Sequence, residues 1–368
     1  MQQYYDLSAI VEPLLAWYEQ NRRLLPWRQA PSPYHVWLSE IMLQQTRIEA
    51  VIPYYERFLA ACPTIKALSE IDDEALMKLW EGLGYYSRAR NLKKAAIAVM
   101  QMYGGELPSS YEALLSLPGI GMYTAGAISS IAFGLPEPAV DGNVLRVIAR
   151  LTADESDVLA EKTKRRVTEA LRAIYPCTAN EAADMTQALM ELGEQLCIPN
   201  GTPRCESCPL GAFCRARAEN ATHRIPYRAP KKGRKIQKRT VLLLLHEGKV
   251  ALCKRGEQGL LAGLWEFVSI EEPLEVEQLR ACLATRGIQG CCLTPTPDAK
   301  HIFTHVEWHM CGYFVQCEEE IGTFDGAPLV WVTLRELTER YALPTAYRAF
   351  VRALVENTLP PLDKAGDA

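Results

Sequence analysis

Leu114-Leu-Ser-Leu-Pro-Gly-Ile-Gly-Met-Tyr-Thr-Ala-Gly-Ala-Ile128 reads as a helix, a tight glycine turn and a second helix. In the turn, Gly119 and Gly121 let backbone amides come close to a ligand. The helix that follows opens with unpaired N–H groups and the positive end of its dipole, which together bind phosphate without a side-chain charge. A glycine turn on its own also serves as a plain helix–helix connection. Twenty residues past Gly121 stands Val140-Asp-Gly-Asn-Val-Leu-Arg-Val-Ile-Ala-Arg150. Val144, Val147, Ile148 and Leu151 fall on one helical stripe, which sets Asp141 at or near the N-cap. Capping alone accounts for an aspartate there.

Outward from the hairpin, residues 7–196 read as helices parted by short breakers, Gly82-Leu-Gly84 and Gly134-Leu-Pro136 among them. Ala75, Leu76, Leu79 and Trp80 recur at helical spacing, and no repeat of fixed period is present. The chain has 368 residues, enough for two or three domains, and its 48% apolar and 23% charged content is that of a soluble globular protein. The net charge of −4 conceals a polarised distribution: residues 200–240 carry +9 and the remainder −13. Only the local sign matters to a polyanion within a Debye length. The stretch 224–239, with Pro226, Pro230 and Gly233, reads as a basic linker. Beyond it the pattern turns α+β, with strands over 241–245, 250–253, 309–315 and 329–332 and helices over 274–286 and 346–355.

Cys197, Cys205, Cys208 and Cys214 form C-x7-C-x2-C-x5-C, with Pro199, Gly201, Pro203 and Pro209 supplying turns. Four thiolates so close in sequence suit a [4Fe–4S] cluster or, as the competitor, a structural zinc. Cys62, Cys177, Cys253, Cys282, Cys291, Cys292, Cys311 and Cys317 lack such spacing and are expected to be small buried hydrophobes. The first residues show no cationic stretch followed by an apolar core, and no run reaches the ~18–20 apolar residues of a membrane helix. A cytoplasmic protein of bacterial type is expected, without a membrane partner.

Leu117-Pro-Gly-Ile-Gly121, Val140-Asp-Gly-Asn143 and the cysteine cluster together resemble the helix–hairpin–helix DNA glycosylases. Trp37-Leu-Ser-Glu-Ile-Met-Leu-Gln-Gln-Thr46 and Gly82-Leu83-Gly84-Tyr85-Tyr86-Ser87-Arg88 look like the adenine branch of that superfamily, the MutY family. The resemblance implies that Glu40 protonates the departing adenine and that Asp141 faces the sugar cation, with Tyr123 and Asn143 orienting Asp141 and the reacting water. Two carboxylates in unlike environments, one protonated and one ionised, are the usual solution for a glycosidic bond. Glu40 sits among Val36, Trp37, Leu38, Ile41, Met42 and Leu43, and burial there would raise its pKa. The resemblance further implies Arg28 and Gln187 in the base pocket, and Gln45, Leu83, Tyr85, Arg88, Gly119 and Gly121 against DNA. Relatives that also cut the strand carry a lysine where Tyr123 stands, and no lysine occurs in 107–160. A monofunctional glycosylase is expected. Relatives usually place six residues between the first two cluster cysteines; this chain has seven.

The expected architecture is multidomain. An all-α helix–hairpin–helix glycosylase region over 1–222 holds the hairpin at about 111–134 and a four-Cys iron–sulfur loop over 197–214. A basic linker (223–239), an α+β Nudix-like (MutT-like) domain (240–360) and a tail (361–368) follow. Leu260-Leu-Ala-Gly-Leu-Trp-Glu-Phe267 carries the Nudix resemblance, yet the glutamate run that holds magnesium in the hydrolases is absent from 274–286. Phe303-Thr304-His305 matches the loop with which adenine glycosylases read 8-oxoguanine, with Thr304 where serine is frequent. The implied function is excision of adenine opposite 8-oxoguanine or guanine in duplex DNA, by a monomer. The alternatives are an endonuclease III-like pyrimidine glycosylase/lyase, a non-catalytic sensor of distorted DNA and, weaker, a Nudix pyrophosphatase.

Overall fold

The computed structural model describes residues 6–29, 31–230, 233–288 and 292–358. Cys291, Lys231, Lys232, the first five residues and everything from 359 onward, the expected tail included, lie outside them. The chain forms two compact units, one of Met1–Ile71 with Ser87–Lys231 and one of Asp72–Tyr86 with Lys232–Ala368. Among the described residues no helix is long and apolar enough to cross a membrane.

The helices of the N-terminal part are α1 (Val11–Asn21), α2 (Pro26–Gln29), α3 (Pro33–Leu43), α4 (Ile48–Ala61), α5 (Ile65–Glu70), α6 (Asp73–Trp80), α7 (Ser87–Tyr103), α8 (Tyr111–Leu115), α9 (Met122–Ala127), α10 (Gly142–Thr152), α11 (Glu161–Arg172), α12 (Ala179–Gln195) and α13 (Arg215–Ala218). All but α6 belong to the first unit. Helix α3 starts where the sequence signals it: Ser32 accepts a hydrogen bond from His35 N, and Pro33 occupies the first helical position. Nearly all of α3 is buried, Glu40 included. The hairpin is α8, the turn and α9, which continues as a π-helical segment over Ile128–Ala132. Helix α10 buries Val144, Val147, Ile148 and Leu151 against α1, α11 and α12.

The two hairpin glycines serve different needs. Gly119 has φ +75°, and a Cβ there would stand 2.6 Å from Asn91 Cβ. Conformation and packing both demand glycine at that position. Gly121 caps α9 in extended backbone, and a Cβ there would meet nothing within 4 Å.

In the second unit one mixed sheet has the order β4-β5-β1-β3-β2-β7-β6. Its elements are β1 (Lys235–His246), β2 (Lys249–Lys254), β3 (Trp265–Ile270), α14 (Val276–Ala284), β4 (Cys292–Ile302), β5 (Val306–Gln316), β6 (Thr323–Phe324), β7 (Ala327–Thr333), α15 (Leu334–Glu339) and α16 (Arg348–Thr358). Strands β1 and β5 run parallel; the other pairs are antiparallel. One sheet face packs Phe267, Trp308 and Met310 against Tyr347 and Phe350, and the other packs Leu242 and Val315 against Leu279 and Leu283 of α14.

Three expectations need correction. The linker does not reach 239, because Lys235–Arg239 already form the start of β1, paired with β5 from Val306. Only the Arg239 charge is taken into the sheet, its guanidinium 4.2 Å from the Trp308 ring centroid and paired with Glu271, whereas Lys235 and Lys238 are exposed. The segment Asp72–Tyr86, expected in the first region, clusters with the second unit. Cys177 and Cys292 are exposed rather than buried; Cys62, Cys253 and Cys317 are buried.

Candidate active site

A cleft of about 600 Å³ opens in the first unit, lined by Arg28, Glu40, Tyr123, Asp141, Asn143, Gln187 and Glu191 among others. Five chain segments therefore deliver side chains to one place, α12 among them with Gln187 and Glu191. Glu40 comes from the middle of α3, Tyr123 from the first turn of α9, Asp141 and Asn143 from the start of α10, and Arg28 from α2.

The two carboxyl groups have different surroundings. Burial pushes Glu40 up to about 7, against the opposing pull of a hydrogen bond donated by the Tyr123 hydroxyl to Oε2. Asp141 also lies above its ordinary value through burial, but its oxygens meet only N–H donors. Val144 N donates to Oδ1 at 2.7 Å and Asn143 Nδ2 to Oδ2 at 2.8 Å. Donors that can only donate favour the carboxylate anion. The cap and the chemical group are the same side chain: Asp141 closes the N-terminus of α10 and faces the cleft.

Asn143 is oriented in turn by Arg146, whose Nη2 donates to its Oδ1 at 2.9 Å. The same guanidinium donates to Gly193 O and, through Nε, to Cys197 O. Arg146, Glu191 and Arg23 are site residues beyond those expected from the sequence. Glu191, 1% exposed at its side chain, pairs with Arg28 and lies 3.5 Å from Arg23 Nε, placing an ion-paired carboxylate against the cleft beside Gln187.

Cys197, Cys205, Cys208 and Cys214 line one small cavity with Arg150. Arg150 Nη1 donates to Cys197 Sγ at 3.3 Å, and Cys214 Sγ approaches Arg150 O at 3.5 Å. Among the described residues, no three His, Cys, Asp or Glu side chains are gathered tightly enough to hold a single metal ion.

Residues 38–176 match the HhH-GPD superfamily base excision DNA repair protein model, and residues 240–353 match the NUDIX domain model. The adenine DNA glycosylase of Rattus norvegicus is 31% identical over 408 residues, covering 94% of this chain and 78% of that protein. The adenine DNA glycosylase of Buchnera aphidicola subsp. Baizongia pistaciae (strain Bp) is 36% identical, with 70% of this chain and 72% of that protein covered. The chain belongs to the adenine DNA glycosylases.

Among solved structures, a thermostable thymine-DNA glycosylase aligns with TM-score 0.52 and 28% identity over 57% of this chain and 96% of its own. A non-covalent endonuclease III–DNA complex aligns with TM-score 0.50 and 25% identity over 60% of this chain and 99% of its own. As an adenine DNA glycosylase the chain is a base-excision repair enzyme, and the residues expected to touch DNA divide into two groups. Gln45 is exposed and holds φ +61°; Tyr85 is 48% exposed with φ +49°. Left-handed backbone at a non-glycine residue is strained and recurs at functional sites. Leu83 and Arg88 do not fit that role. Leu83 is buried, so its side chain is not presented to a strand. Arg88 is buried too, and its Nη1 donates to Ile41 O, Met42 O and Gln44 O at 2.7, 2.9 and 2.7 Å. It caps the C-terminus of α3 and fixes the loop that presents Gln45, which is positioning rather than phosphate binding.

Arg88→Met is expected to lower the stability of this glycosylase by about 3 kcal/mol, since three carbonyls lose a charged donor. A shift in the denaturant midpoint measures it, and an unchanged midpoint would show that water replaces the guanidinium.

In the second unit, Thr304 and His305 are exposed, whereas Phe303 is half-buried with its ring 4.9 Å from Trp308. Phe303 anchors the β4–β5 loop. Glu266, part of the Nudix-like signature, accepts from Arg255 and from the Tyr347 hydroxyl and braces the core. Glu275 opens α14 in a capping box with Gln278.

Proposed function

We propose that this enzyme excises adenine paired with 8-oxoguanine or guanine in duplex DNA, leaving an abasic site and an uncut strand. The observation that carries the reading is the pair of unlike carboxyl groups on one cleft: Glu40 buried, pushed up to about 7 and bonded by Tyr123, and Asp141 ringed by N–H donors. With Oε2 engaged by Tyr123, Glu40 Oε1 holds the proton for the departing adenine nitrogen. The Asp141 carboxylate stabilises the positive sugar as the bond lengthens, in a setting where water is scarce. Asn143, held by Arg146, keeps Asp141 aimed and helps place the attacking water. Arg28, Gln187 and Glu191 read the extruded base.

Phosphate is anchored by the α9 N-terminus beyond Gly121, and Gln45 and Tyr85 hold the opened stack. Thr304 and His305 read the opposite base. Capping use of Glu275 and the scattered acids of α14 support recognition without pyrophosphate hydrolysis.

The donor set at the cysteine cavity fits a [4Fe–4S] cluster held by Cys197, Cys205, Cys208 and Cys214. Four thiols share one cavity beside the Arg150 guanidinium, the all-thiolate donor set that such a cluster takes. A cluster held by these four residues would tie the 197–214 loop together.

Tyr123, its hydroxyl held well above its ordinary pKa by burial and by Glu40, supplies no amine for a Schiff base. Incubation with an adenine:8-oxoguanine duplex is therefore expected to release free adenine, with strand breaks only after alkali. Breaks without alkali would refute the monofunctional assignment.

A further inference from the structure

Helix α6 opens with Asp72 accepting from Glu74 N and Ala75 N. After it the chain turns sharply through Gly82 (φ +100°) and Gly84 (φ +71°) to present Tyr85. This short segment is held by the second unit at both of its ends. At the tip, the Tyr85 hydroxyl lies 3.3 Å from Thr304 Oγ1. At the base, Leu343 N donates to Glu81 Oε1 at 2.9 Å, Lys78 Nζ donates to Tyr341 O at 3.1 Å, and Lys78 bridges to Glu81 Oε2 at 2.6 Å. Further out, Glu74 pairs with Lys254 at 3.3 Å.

These ties differ in weight. The Glu74–Lys254 pair is exposed on both sides and contributes little. The Glu81 carboxylate is half-buried and accepts the backbone N–H of Leu343, a buried core residue whose amide needs an acceptor. Tyr341, beside it, packs edge-on against Trp265 at 5.0 Å, so the receiving loop is itself fixed to the sheet.

We infer that Glu81 is a positioning residue for discrimination of the base opposite adenine: it fixes the turn carrying Tyr85 within the unit that also carries Thr304. Wedging the stack and reading the opposite base are then coupled through the contact between the Tyr85 hydroxyl and Thr304 Oγ1. The inference rests on the proposed preference for adenine opposite 8-oxoguanine.

Single-turnover excision by the full chain, on duplexes with adenine opposite 8-oxoguanine and opposite guanine, tests it. For Glu81→Ala the rate opposite 8-oxoguanine is expected to fall about tenfold, the weight of one charge-assisted hydrogen bond, while the rate opposite guanine stays within about twofold. Glu81→Gln, whose carbonyl still accepts from Leu343 N, is expected to keep most of the ratio. Lys78→Met, which cuts the other tie from the half-exposed side, is expected to lower the ratio in the same direction. An unchanged ratio in Glu81→Ala and Lys78→Met overturns the inference. So does an equal fall in both rates that Glu81→Gln does not rescue, since a residue that merely supports the fold behaves that way. An unaltered protein with no preference overturns the specificity reading itself, and the inference with it.

Discussion

Asp141→Asn is expected to bind duplex DNA as the unaltered protein does and to excise adenine about 10³-fold more slowly, a loss of the size seen when charge stabilisation is removed from a developing ion. Asparagine is as good an N-cap as aspartate, so Val144 N keeps an acceptor and α10 keeps its start. The negative charge facing the sugar disappears. The new amide also sets an N–H against Asn143 Nδ2, which Arg146 prevents from turning by holding Asn143 Oδ1. Binding is measured by fluorescence anisotropy and excision by single turnover. Excision at the unaltered rate would mean that Asp141 is only a cap; no excision by either protein would favour a sensor of distorted DNA.

Glu40→Gln is expected to slow excision by about 10²–10⁴-fold and to abolish a pH dependence that the unaltered enzyme shows. Glu40 acts as an acid only while protonated. With its carboxyl pushed up to about 7, the excision rate of the unaltered enzyme is highest below pH 7 and falls above it. The variant has no such limb. The same shift predicts that stability, too, falls as pH rises. The unfolded chain releases this proton near 4.5 and the folded chain near 7. The fold is thus unpenalised below pH 4.5 and loses stability as pH rises to 7, by about 3 kcal/mol at 1.36 kcal/mol per pK unit. Glu40→Gln should therefore raise the melting temperature at pH 8 and leave it nearly unchanged at pH 4.5. Equal Tm differences at both pH values would contradict the burial of an ionisable group at this position.

Much of the site is legible in the sequence because its signals are local. The glycine turn, the cap at Asp141 and the cysteine spacing each lie within a few residues, and their backbone consequences follow from short-range rules. Glu40 stands out as a single acid in an apolar helical run. The same signal exists for Glu191, set among Ala188, Leu189, Met190 and Leu192 of α12 and one helical turn after Gln187. Its partners Arg23 and Arg28 lie more than 160 residues away, where no spacing rule reaches. Arg88 and Leu83 illustrate the converse. Motif position suggested DNA contact for both, but their burial depends on tertiary packing, and Arg88 spends its donors on the end of α3. The grouping of Asp72–Tyr86 with the second unit is likewise long-range, with contacts to Lys254, Thr304, Tyr341 and Leu343 among those that carry it.

The central claim is that this chain removes adenine and chooses it by the opposite base. Single-turnover excision on duplexes with adenine opposite 8-oxoguanine and opposite each of the four ordinary bases tests it most directly. Free adenine released fastest opposite 8-oxoguanine, next fastest opposite guanine and slowly elsewhere is the predicted result; equal rates with every partner, or no release of adenine, would contradict it.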